Sequence, residues 1–312
     1  MKILCVLLSD NIDYFRINAK TPFRRQVLNS AYCNFAKIGQ KFGFKVIFAK
    51  FNNLKNNKIN KYWLFDKKWV LSSEKIKPDL FFDKFELGKK QIILKKNLSK
   101  KNSLINNYNL EIFCKDKFAQ SKEFSNFITK TYFVKNKKQF LESIKKIKSE
   151  KLILKPRFGL GGVGIKIFDR SNLPNLARGE YVMQEFLDSS KGIPKTKIKN
   201  IHDLRCVVLN GKIMYSFVRV SGGGLMANIN QGGKMVTIPI PKEVKKLVKL
   251  IDKHMKKFGF RLYSTDFFFA KGKFYLIELN SKPGFDVCGD FGYAWAENSF
   301  FKKFFKELKN IK

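Results

Sequence analysis

One stretch near the end of the chain, residues 265–285 (TDFFFAKGKFYLIELNSKPGF), constrains the fold most strongly. Two aromatic and aliphatic runs flank Lys-Gly-Lys, a pattern that predicts a β-hairpin. If residues 271–273 form a three-residue loop, Asp266 lies directly opposite Glu278, and Asn280 shares their face. A two-residue Lys-Gly loop would instead place the two carboxylates on opposite faces of the hairpin.

Two carboxylates on one face of a hairpin predict a cation-binding site. Directly opposed cross-strand residues have Cβ atoms about 5 Å apart, so like charges in these positions repel each other unless a cation lies between them. Two carboxylates and an amide supply the hard oxygen ligands that suit Mg²⁺, with phosphate oxygens completing its octahedron. The alternative is an ordinary hairpin whose acids point into water, and the hairpin alone does not decide between the two.

The composition is that of a folded globular protein. The chain has 312 residues, of which 44% are hydrophobic and 15% aromatic, and it predicts a large core with two or three sub-domains. No apolar run reaches the length of about 18 residues that a membrane-spanning helix needs, and the start lacks a signal-peptide cleavage site. The five cysteines are scattered, without a Cys-x-x-Cys motif. We therefore expect free thiols, no zinc site, no membrane partner and a cytoplasmic location.

The formal net charge of +38 has two interpretations. Such an excess of basic residues is typical of proteins that bind nucleic acid or acidic polymers. The lysines are spread along the whole chain, however, and Asn, Ile and Phe are also abundant, as codon use in an AT-rich genome would produce. We favour compositional bias over a nucleic-acid surface, although an acidic substrate would still be attracted.

The first hundred residues predict an α/β domain. Apolar runs at residues 2–8 and 44–48 predict buried strands, and apolar residues spaced three to four apart between 25 and 42 predict a helix. This β-α-β order indicates a parallel sheet, with residues 79–82 and 91–94 as candidate further strands. No glycine pattern opens the first helix, so this domain is not expected to bind a nucleotide by itself.

A glycine-rich loop interrupts the run LILKPRFGLGGVGIKIFD. Its spacing matches the dinucleotide-binding fingerprint, but that fingerprint needs a helix to begin at the glycines, and residues 163–168 alternate like a strand. We predict a flap between two antiparallel strands that offers backbone N–H groups to phosphates, with Lys155 as a point charge. The alternative is a long hairpin turn. The flap glycines are Gly159, Gly161, Gly162 and Gly164.

A second predicted hairpin carries two arginines. Residues 202–209 and 212–219 flank Asn-Gly, a strong signal for a two-residue turn. Arg205 and Arg219 on this hairpin could clamp a phosphate or a carboxylate, although either residue alone would be interpreted as a surface ion pair. A further glycine-rich loop, which contains Asn228, follows.

The remaining patterns predict further strands and helices. A helix is expected to begin at residues 116–118, and a strand is expected at 131–134. Residues 180–188 form an apolar strand that ends in acids; its backbone could contact an adenine edge and a carboxylate could hold a ribose, but a core strand is the simpler interpretation. Helices are expected near residues 138–147, 242–258 and 299–311, each with one apolar face.

The order of these motifs resembles the ATP-grasp superfamily. Between residues 111 and 290 the chain has Asp-Lys, then Lys-Pro with the glycine flap, Gln-Glu-Phe-Leu, Asp-x-Arg, Asn-x-x-x-Gly-Gly and Glu-x-Asn-x-x-Pro-Gly. It is most similar to the RimK-type carboxylate–amine ligases, with a weaker likeness to bacterial glutathione synthetases and the YheC/YheD group. The resemblance implies an α/β pre-ATP-grasp domain (1–105), then an α+β ATP-grasp fold with antiparallel sheets, comprising a lid subdomain (106–187) and a C-terminal subdomain (188–312).

The resemblance also implies roles for single residues, carried over by position. Arg205 and Arg219 would be catalytic and would face the reacting phosphate and carboxylate. Two Mg²⁺ ions, or Mn²⁺ in their place, would be held by Asp266, Glu278 and Asn280. ATP would be bound by Lys117, Lys155, Gly159, Gly161, Gly162, Gly164, Gln184, Glu185, Phe186, Leu187, Asp203 and Asn228.

The implied reaction is the ATP-dependent formation of an amide bond. A carboxylate attacks the γ-phosphate to give an acyl-phosphate and ADP, and an amine then attacks the acyl-phosphate. The sequence identifies neither the acid nor the amine, and the acceptor could be a small molecule, a peptide or an acidic protein. An ATP-grasp phosphotransferase and a non-catalytic basic binding protein are the alternatives, and the oligomeric state is open.

Two departures from the RimK pattern concern the substrate side. Met226 stands where RimK-like enzymes carry an arginine, and residues 189–201 are longer and richer in lysine than expected. The glutamate specificity of that group is therefore not transferred to this chain.

Overall fold

The computed structural model of the chain describes residues 1–9, 15–17, 19–85, 89–101, 104–159, 161–227, 233–284 and 294–311. The chain divides into two compact units. Unit 1 comprises Met1–Tyr108, Phe258–Leu262 and Lys282–Lys312, and unit 2 comprises Asn109–Lys257 and Tyr263–Ser281. The sequence analysis placed residues 188–312 in one subdomain, whereas here the segment from Lys282 onwards belongs to unit 1.

Unit 1 is built on one mixed sheet. Its elements are β1 (Lys2–Leu8), α1 (Gln26–Lys41), β2 (Phe44–Lys50), a 3₁₀ turn (Phe51–Asn53), β3 (Leu54–Lys55), β4 (Lys58–Ile59), β5 (Tyr62–Asp66), β6 (Lys68–Ser72), β7 (Leu80–Asp83), α2 (Lys89–Lys100), β8 (Leu104–Ile105) and α7 (Ala294–Leu308). The six-stranded sheet has the order β6-β5-β2-β1-β7-β8. The strand β1 lies parallel to β2 and β7, while β5 and β6 add an antiparallel edge. The predicted β-α-β unit and the α/β class are confirmed.

The strand predicted at residues 91–94 is wrong, because these residues belong to the helix α2. Leu98 is buried and Leu94, about one helical turn earlier, packs partly against the same apolar cluster. Ile93, in the middle of the apolar run, is 67% exposed. A run of three apolar residues, 92–94, was too short to distinguish the two periodicities.

Aromatic packing between α1 and α7 closes one face of unit 1. Phe35 on α1 has its ring centroid 4.7 Å from that of Phe305 and 5.0 Å from that of Phe301. The α7 side chains that the sequence predicted to be inward are all buried: Phe300, Phe301, Phe304, Phe305 and Leu308.

Unit 2 consists of two antiparallel ladders and the helices around them. Its elements are α3 (Tyr108–Lys115), α4 (Lys117–Glu123), β9 (Tyr132–Val134), α5 (Lys137–Lys146), β10 (Lys151–Pro156), β11 (Lys166–Asp169), β12 (Tyr181–Glu185), β13 (His202–Leu209), β14 (Lys212–Val220), β15 (Lys234–Val236), α6 (Lys242–Met255, followed by a 3₁₀ turn at Lys256–Phe258), β16 (Leu262–Ala270) and β17 (Lys273–Asn280). One sheet has the order β11-β10-β12-β9 and the other β15-β14-β13-β16-β17. The helix α5 covers one face of the smaller sheet through Phe140 and Ile144, which pack on Leu152 and Leu154 of β10.

The hairpin of β16 and β17 has the predicted pairing of Asp266 with Glu278, but its turn differs from the predicted one. Ala270 pairs with Lys273, so the turn has two residues, Lys271 and Gly272, and both are left-handed, with φ of 47° and 80°. The predicted three-residue loop is therefore wrong, and the two-residue Lys-Gly turn that the sequence analysis gave as the alternative is present. A β-bulge next to Asp266 inserts one extra residue into β17 and shifts the register. Asp266 consequently pairs with Glu278, as the sequence analysis predicted.

Two compositional expectations apply to the described residues. Within these residues, no helix has both the length and the apolar character needed to cross a bilayer. Cys5, Cys33, Cys114 and Cys206 are free thiols, as predicted, whereas Cys288 lies outside the described residues.

The contact between α1 and α7 leads to a stability prediction at Gly39. A Cβ atom at this position would lie 2.6 Å from Val46 Cγ2 and 2.8 Å from the ring of Phe305. We expect Gly39→Ala to lower the free energy of unfolding by about 1–3 kcal/mol, the usual cost of overpacking, although Ala is the better helix former. Chemical denaturation measures the change. The control is Ser30→Ala on the exposed side of α1, and a Gly39→Ala protein at least as stable as the wild type would contradict the prediction.

Candidate nucleotide and cation site

The N-terminus of α4 fixes one side of the site. Asp116 caps this helix, because its Oδ1 accepts hydrogen bonds from the N–H groups of Phe118 (3.0 Å) and Ala119 (3.1 Å). Arg157 donates to both oxygens of the same carboxylate, from Nε at 2.8 Å and from Nη2 at 2.5 Å. The sequence analysis expected a helix to begin at residues 116–118, as α4 does, but missed the capping role of Asp116 and its pairing with Arg157. The pair ties the start of α4 to the segment that follows β10.

The charge of Asp116 is stabilised by this arrangement. Burial raises the pKa of Asp116, but the Arg157 guanidinium and the two backbone N–H groups outweigh burial and hold the pKa below its ordinary value. The N–H of Lys117 in turn donates to the carbonyl of Arg157 at 3.0 Å. The first residue of α4 therefore has a fixed position beside the flap.

The two predicted phosphate lysines lie close to the contact between α4 and Arg157: Lys117 is the first residue of α4, and Lys155 is in β10. Lys117 Nζ donates to the carbonyl of Gly159 at 2.7 Å and lies 3.5 Å from Glu278 Oε2. Lys155, near the end of β10, interacts electrostatically with both Lys117 and Glu278. Burial lowers the pKa of Lys155 to about 8, Glu278 opposes this shift, and the charge of Lys117 adds to it. The structure thus brings together two lysines and one predicted metal ligand.

The glycine flap lies between two antiparallel strands, as predicted. β10 and β11 pair through Leu154 and Lys166, and the strand resumes at Lys166 rather than at residue 163. Gly161, Gly162 and Gly164 have φ of 66°, 79° and 75°, a region that favours glycine. A Cβ atom on Gly164 would also lie 2.9 Å from Pro156 Cγ. The tip is open to solvent, with Val163 79% exposed.

The two predicted catalytic arginines converge on Asp266. Asp203 and Arg205 are two residues apart on β13, and Arg219 pairs with Asp203, so all three side chains share one face. Arg205 donates to Asp266 from Nε (2.7 Å to Oδ1) and Nη2 (2.5 Å to Oδ2). Arg219 donates from Nη2 to Asp266 Oδ2 at 2.9 Å and from Nε to Asp203 Oδ1 at 2.6 Å. The sheet order, in which β13 neighbours β16, brings Asp266 to this face.

The two aspartates differ in their electrostatics. Burial raises the pKa of both carboxyls, but the two guanidinium groups outweigh burial at Asp266 and lower its pKa. At Asp203, burial together with the charge of Asp266 exceeds the effect of Arg219 and raises the pKa to about 7. Burial lowers the pKa of each arginine, yet the charge of Asp266 outweighs this effect and raises both values above their ordinary range. Both arginines are therefore cationic.

The predicted metal ligands meet at the end of the hairpin. Asn280 Nδ2 lies 3.4 Å from Asp266 Oδ2 and 3.3 Å from Glu278 Oε1, so an amide donor stands between the two carboxylates. The amide would turn its oxygen to a cation, because carboxamide O and N are exchanged by a simple flip. Within the described residues, no group of three or more His, Cys, Asp or Glu could hold a metal ion. The protein thus offers two carboxylates and one amide, which fits Mg²⁺ only if phosphate oxygens or water complete its coordination.

The predicted hinge residues follow β12. Gln184 is buried, and its Nε2 donates to Thr131 Oγ1 at 2.7 Å. Glu185 Oε2 lies 3.2 Å from Lys271 Nζ, and the N–H of Phe186 donates to the carbonyl of Lys151 at 2.9 Å. Leu187 is buried. The contact of these residues with adenine stays a prediction, and Asn228 lies outside the described residues.

An open groove of about 530 Å³ lies beside the hinge. Three segments line it: the start of β10, the exit of the hinge and the second glycine-rich loop. Its lining residues include Lys151, Phe186, Asp188, Ser190, Gly223 and Leu225. Sequence reasoning missed this groove, because it is formed by segments far apart in the chain.

A sequence model of the RimK-like ATP-grasp domain matches residues 125–292, which is more than half of the chain. The chain belongs to the RimK-like ATP-grasp family. The resemblance noted in the sequence is confirmed, and the flap, both arginines and all three predicted metal ligands lie within the matched region.

Curated relatives of this RimK-like protein match over part of their length. A probable alpha-L-glutamate ligase of Desulfotalea psychrophila is 33% identical over 107 residues, which cover 34% of this chain and 20% of the relative. The tetrahydromethanopterin:alpha-L-glutamate ligase of Methanocaldococcus jannaschii is 26% identical over 147 residues, covering 44% and 47% of the two chains. The match thus spans less than half of the length of these relatives.

Solved structures share the fold of the RimK-like protein over nearly its whole length. A RiPP-associated ATP-grasp ligase of Chryseobacterium gregarium, in complex with ADP and a leader and core peptide, has a TM-score of 0.65 at 13% identity, covering 97% of this chain and 96% of that one. D-alanine–D-alanine ligase of Bacillus anthracis, complexed with ATP, has a TM-score of 0.57 at 14% identity, covering 99% and 100%. At these identities the comparison establishes the fold.

The capped start of α4 predicts a pH-dependent stability. The pKa of Asp116 is lowered in the folded protein, so its contribution is fully present above the unfolded pKa of about 3.9 and is lost as the pH falls through the folded value. Asp116→Asn keeps a capping oxygen but loses the charge. We expect it to lower the free energy of unfolding by about 1 kcal/mol at pH 7 and by less near pH 3.

Urea unfolding between pH 7 and pH 3 measures this difference. The matched control is Asp169→Asn, since Asp169 has a 61% exposed side chain and an ion pair of 3.5 Å with Lys151, and should change stability little. An Asp116→Asn effect that stays constant over this pH range would show that the charge is not what Arg157 stabilises.

The lowered pKa of Lys155 predicts a pH-dependent affinity for nucleotide. In its predicted role Lys155 would bind phosphate as the protonated amine, and above pH 8 a growing fraction of Lys155 is neutral in the free protein. We expect the dissociation constant for ADP to rise roughly tenfold per unit above this pH, as for one proton that must be taken up on binding. Calorimetric titration from pH 7 to pH 9.5 tests this. Lys155→Arg should abolish the dependence, because arginine does not titrate in this range, and a flat wild-type profile would refute it.

Proposed function

We propose that the protein is an ATP-dependent carboxylate–amine ligase that forms an amide bond through an acyl-phosphate. The observation that carries the proposal is the pairing of Asp266 with Glu278 on one hairpin face, beside Lys117 and next to Arg205 and Arg219. This arrangement provides hard oxygen ligands and cationic side chains within one unit of the structure, which is the combination that phosphoryl transfer to a carboxylate requires.

The nucleotide would lie along β10. Lys155 and Lys117 would bind its phosphates, with the flap glycines Gly159–Gly164 above them. Lys151 lines the groove and lies four residues before Lys155 on the same strand. The two residues are therefore about 13 Å apart at the usual rise per residue of a strand. That length suits the distance between a phosphate chain and its base, so Phe186 and Leu187 would lie against the adenine and Asp188 would be near the ribose.

Asp266, Glu278 and Asn280 would hold magnesium, which would supply charge neutralisation and orientation of the phosphate oxygens. Arg205 and Arg219 use Nε and Nη2 for their bonds to Asp203 and Asp266. Among the described residues Nη1 of each makes no such bond, so it would be available to a further acceptor. Because the aspartates fix the two guanidinium planes, these arginines would orient and neutralise the substrate carboxylate.

The reaction would proceed in two steps. A carboxylate oxygen attacks the γ-phosphorus, the bond to the bridging oxygen breaks, and ADP leaves. An amine nitrogen then attacks the acyl carbon, phosphate departs and the nitrogen loses a proton. The protein's part is to align the reactants and, with the flap closed, to keep water from the acyl-phosphate. The substrates proposed are an acid and an amine of unspecified identity, with an acidic acceptor favoured by the net charge of +38.

The test is ADP release from Mg²⁺-ATP with a panel of amino acids, dipeptides and dicarboxylates. We expect turnover that needs both an acid and an amine, and a loss of at least about a hundredfold in Glu278→Gln and Asp266→Asn, because each removes charge stabilisation at the reacting phosphate. The control is Glu142→Gln, an exposed acid on α5.

Three results would contradict the proposal in different ways. A phosphorylated product formed without an amine would indicate a phosphotransferase. Wild-type turnover in Glu278→Gln would refute the assigned role of the hairpin. A folded protein that binds no ATP would leave only a basic binding protein.

A further inference from the structure

The edge strand β17 contains a β-bulge directly before Glu278. Two of its N–H groups point away from β16: that of Leu276 donates to the carbonyl of Phe127 at 2.8 Å, and that of Leu279 donates to Gln120 Oε1 at 2.7 Å. Along a regular strand, N–H groups that face the same edge are an even number of residues apart. Here they are three apart, because the bulge next to Asp266 contributes one extra residue.

The bulge determines which face Glu278 occupies. With a two-residue turn and no bulge, Glu278 would pair with Thr265, and its side chain would point to the face opposite to Asp266. In that register the N–H of Leu279 would point towards β16 and could not reach Gln120. The hydrogen bond to Gln120 is therefore available only in the bulged register.

Gln120 is itself held in one orientation. Its side chain is 1% exposed, and Nε2 donates to the carbonyl of Cys114 at 2.7 Å while Oε1 accepts from Leu279. Gln120 lies on α4, three residues after Lys117, so one helix carries both a predicted phosphate ligand and the tie to β17. The Asp116 cap fixes the start of the same helix.

From these contacts we infer that Gln120 is a positioning residue, which holds the bulge of β17 so that Glu278 faces Asp266 and lies within reach of Lys117. The inference rests on the proposed function only for the role assigned to Glu278. Sequence reasoning gave no sign of it, since a glutamine in a short polar helix has no pattern that distinguishes it.

The experiment compares Gln120→Leu with Ser121→Ala. Leucine keeps most of the volume and removes the hydrogen bond from Leu279 together with those to the carbonyls of Cys114 and Phe113. Ser121→Ala removes a bond within α4, from Oγ to the carbonyl of Phe118, and leaves β17 untouched. Amide hydrogen exchange is measured at Leu279 and Leu276, and ADP binding is measured by calorimetry with and without Mg²⁺.

We expect Gln120→Leu to speed exchange at Leu279 at least tenfold and at Leu276 less than threefold. The gain in ADP affinity that Mg²⁺ provides should fall at least tenfold, with the metal-free affinity within threefold of the wild type. Ser121→Ala should leave all these values unchanged. A Gln120→Leu protein that keeps the full Mg²⁺ effect would overturn the inference.

A second variant keeps the test decisive if Gln120→Leu does not fold. Gln120→Glu, studied at pH 5.5, retains the acceptor for Leu279 and should keep the Mg²⁺ effect within threefold; a tenfold loss there would also overturn the inference. Exchange rates and ADP binding do not depend on turnover. Failure to find an acid and an amine would thus count against the proposed function and not against the role of Gln120.

Discussion

Two carboxylates held opposite each other across one hairpin need positive charge around them, and the rest of unit 2 supplies it. Asp266 receives two guanidinium groups, and Glu278 lies beside the ammonium group of Lys117. The donor end of Asn280 stands between the two acids. With Lys155, four cationic side chains surround three carboxylates, since Asp203 is the third. The site therefore has an excess of positive charge for an anion such as a nucleotide phosphate.

A short helix connects the parts of this site. The start of α4 is bound to Arg157 through Asp116, its first residue Lys117 contacts the carbonyl of Gly159 at the flap, and Gln120 contacts β17. Seven residues thus connect the flap with the acidic hairpin. Intrinsic propensity cannot hold so short a helix, so its cap and its contacts with neighbouring segments must do so. Substitutions in α4 should for this reason affect the geometry of the site as well as stability.

Local patterns made part of the site predictable. The hairpin pattern put Asp266 opposite Glu278, and the Asn-Gly turn put Arg205 and Arg219 on one hairpin. A register shift at Val207 and Val208, which the pattern did not show, puts the two arginines on the same face. The turn between β16 and β17 was misjudged, because the left-handed backbone of Lys271 has no signature in the residue type. The bulge that compensates for it was not visible either, since it depends on contacts of β17 with segments about 150 residues away, at Phe127 and Gln120.

Long-range neighbours account for what the sequence did not reveal. That the arginines bind Asp266 follows from β13 lying next to β16, which local patterns do not encode. Part of the helix α2 was taken for a strand, because its apolar run is too short to show a periodicity. Packing of Leu94 and Leu98 on the core, which the local sequence does not show, favours the helix. The α/β class was recoverable because long segments repeat one periodicity many times.

The central claim is that Asp266 and Glu278 bind one and the same cation beside a nucleotide. The most direct test is anomalous diffraction at the manganese edge from crystals grown with Mn²⁺ and ADP. The account predicts a manganese peak within bonding distance of both carboxylates, with Lys155 and Lys117 on the ADP phosphates. ADP bound in the same crystals with manganese at another place, or with no metal beside Asp266, would contradict the claim.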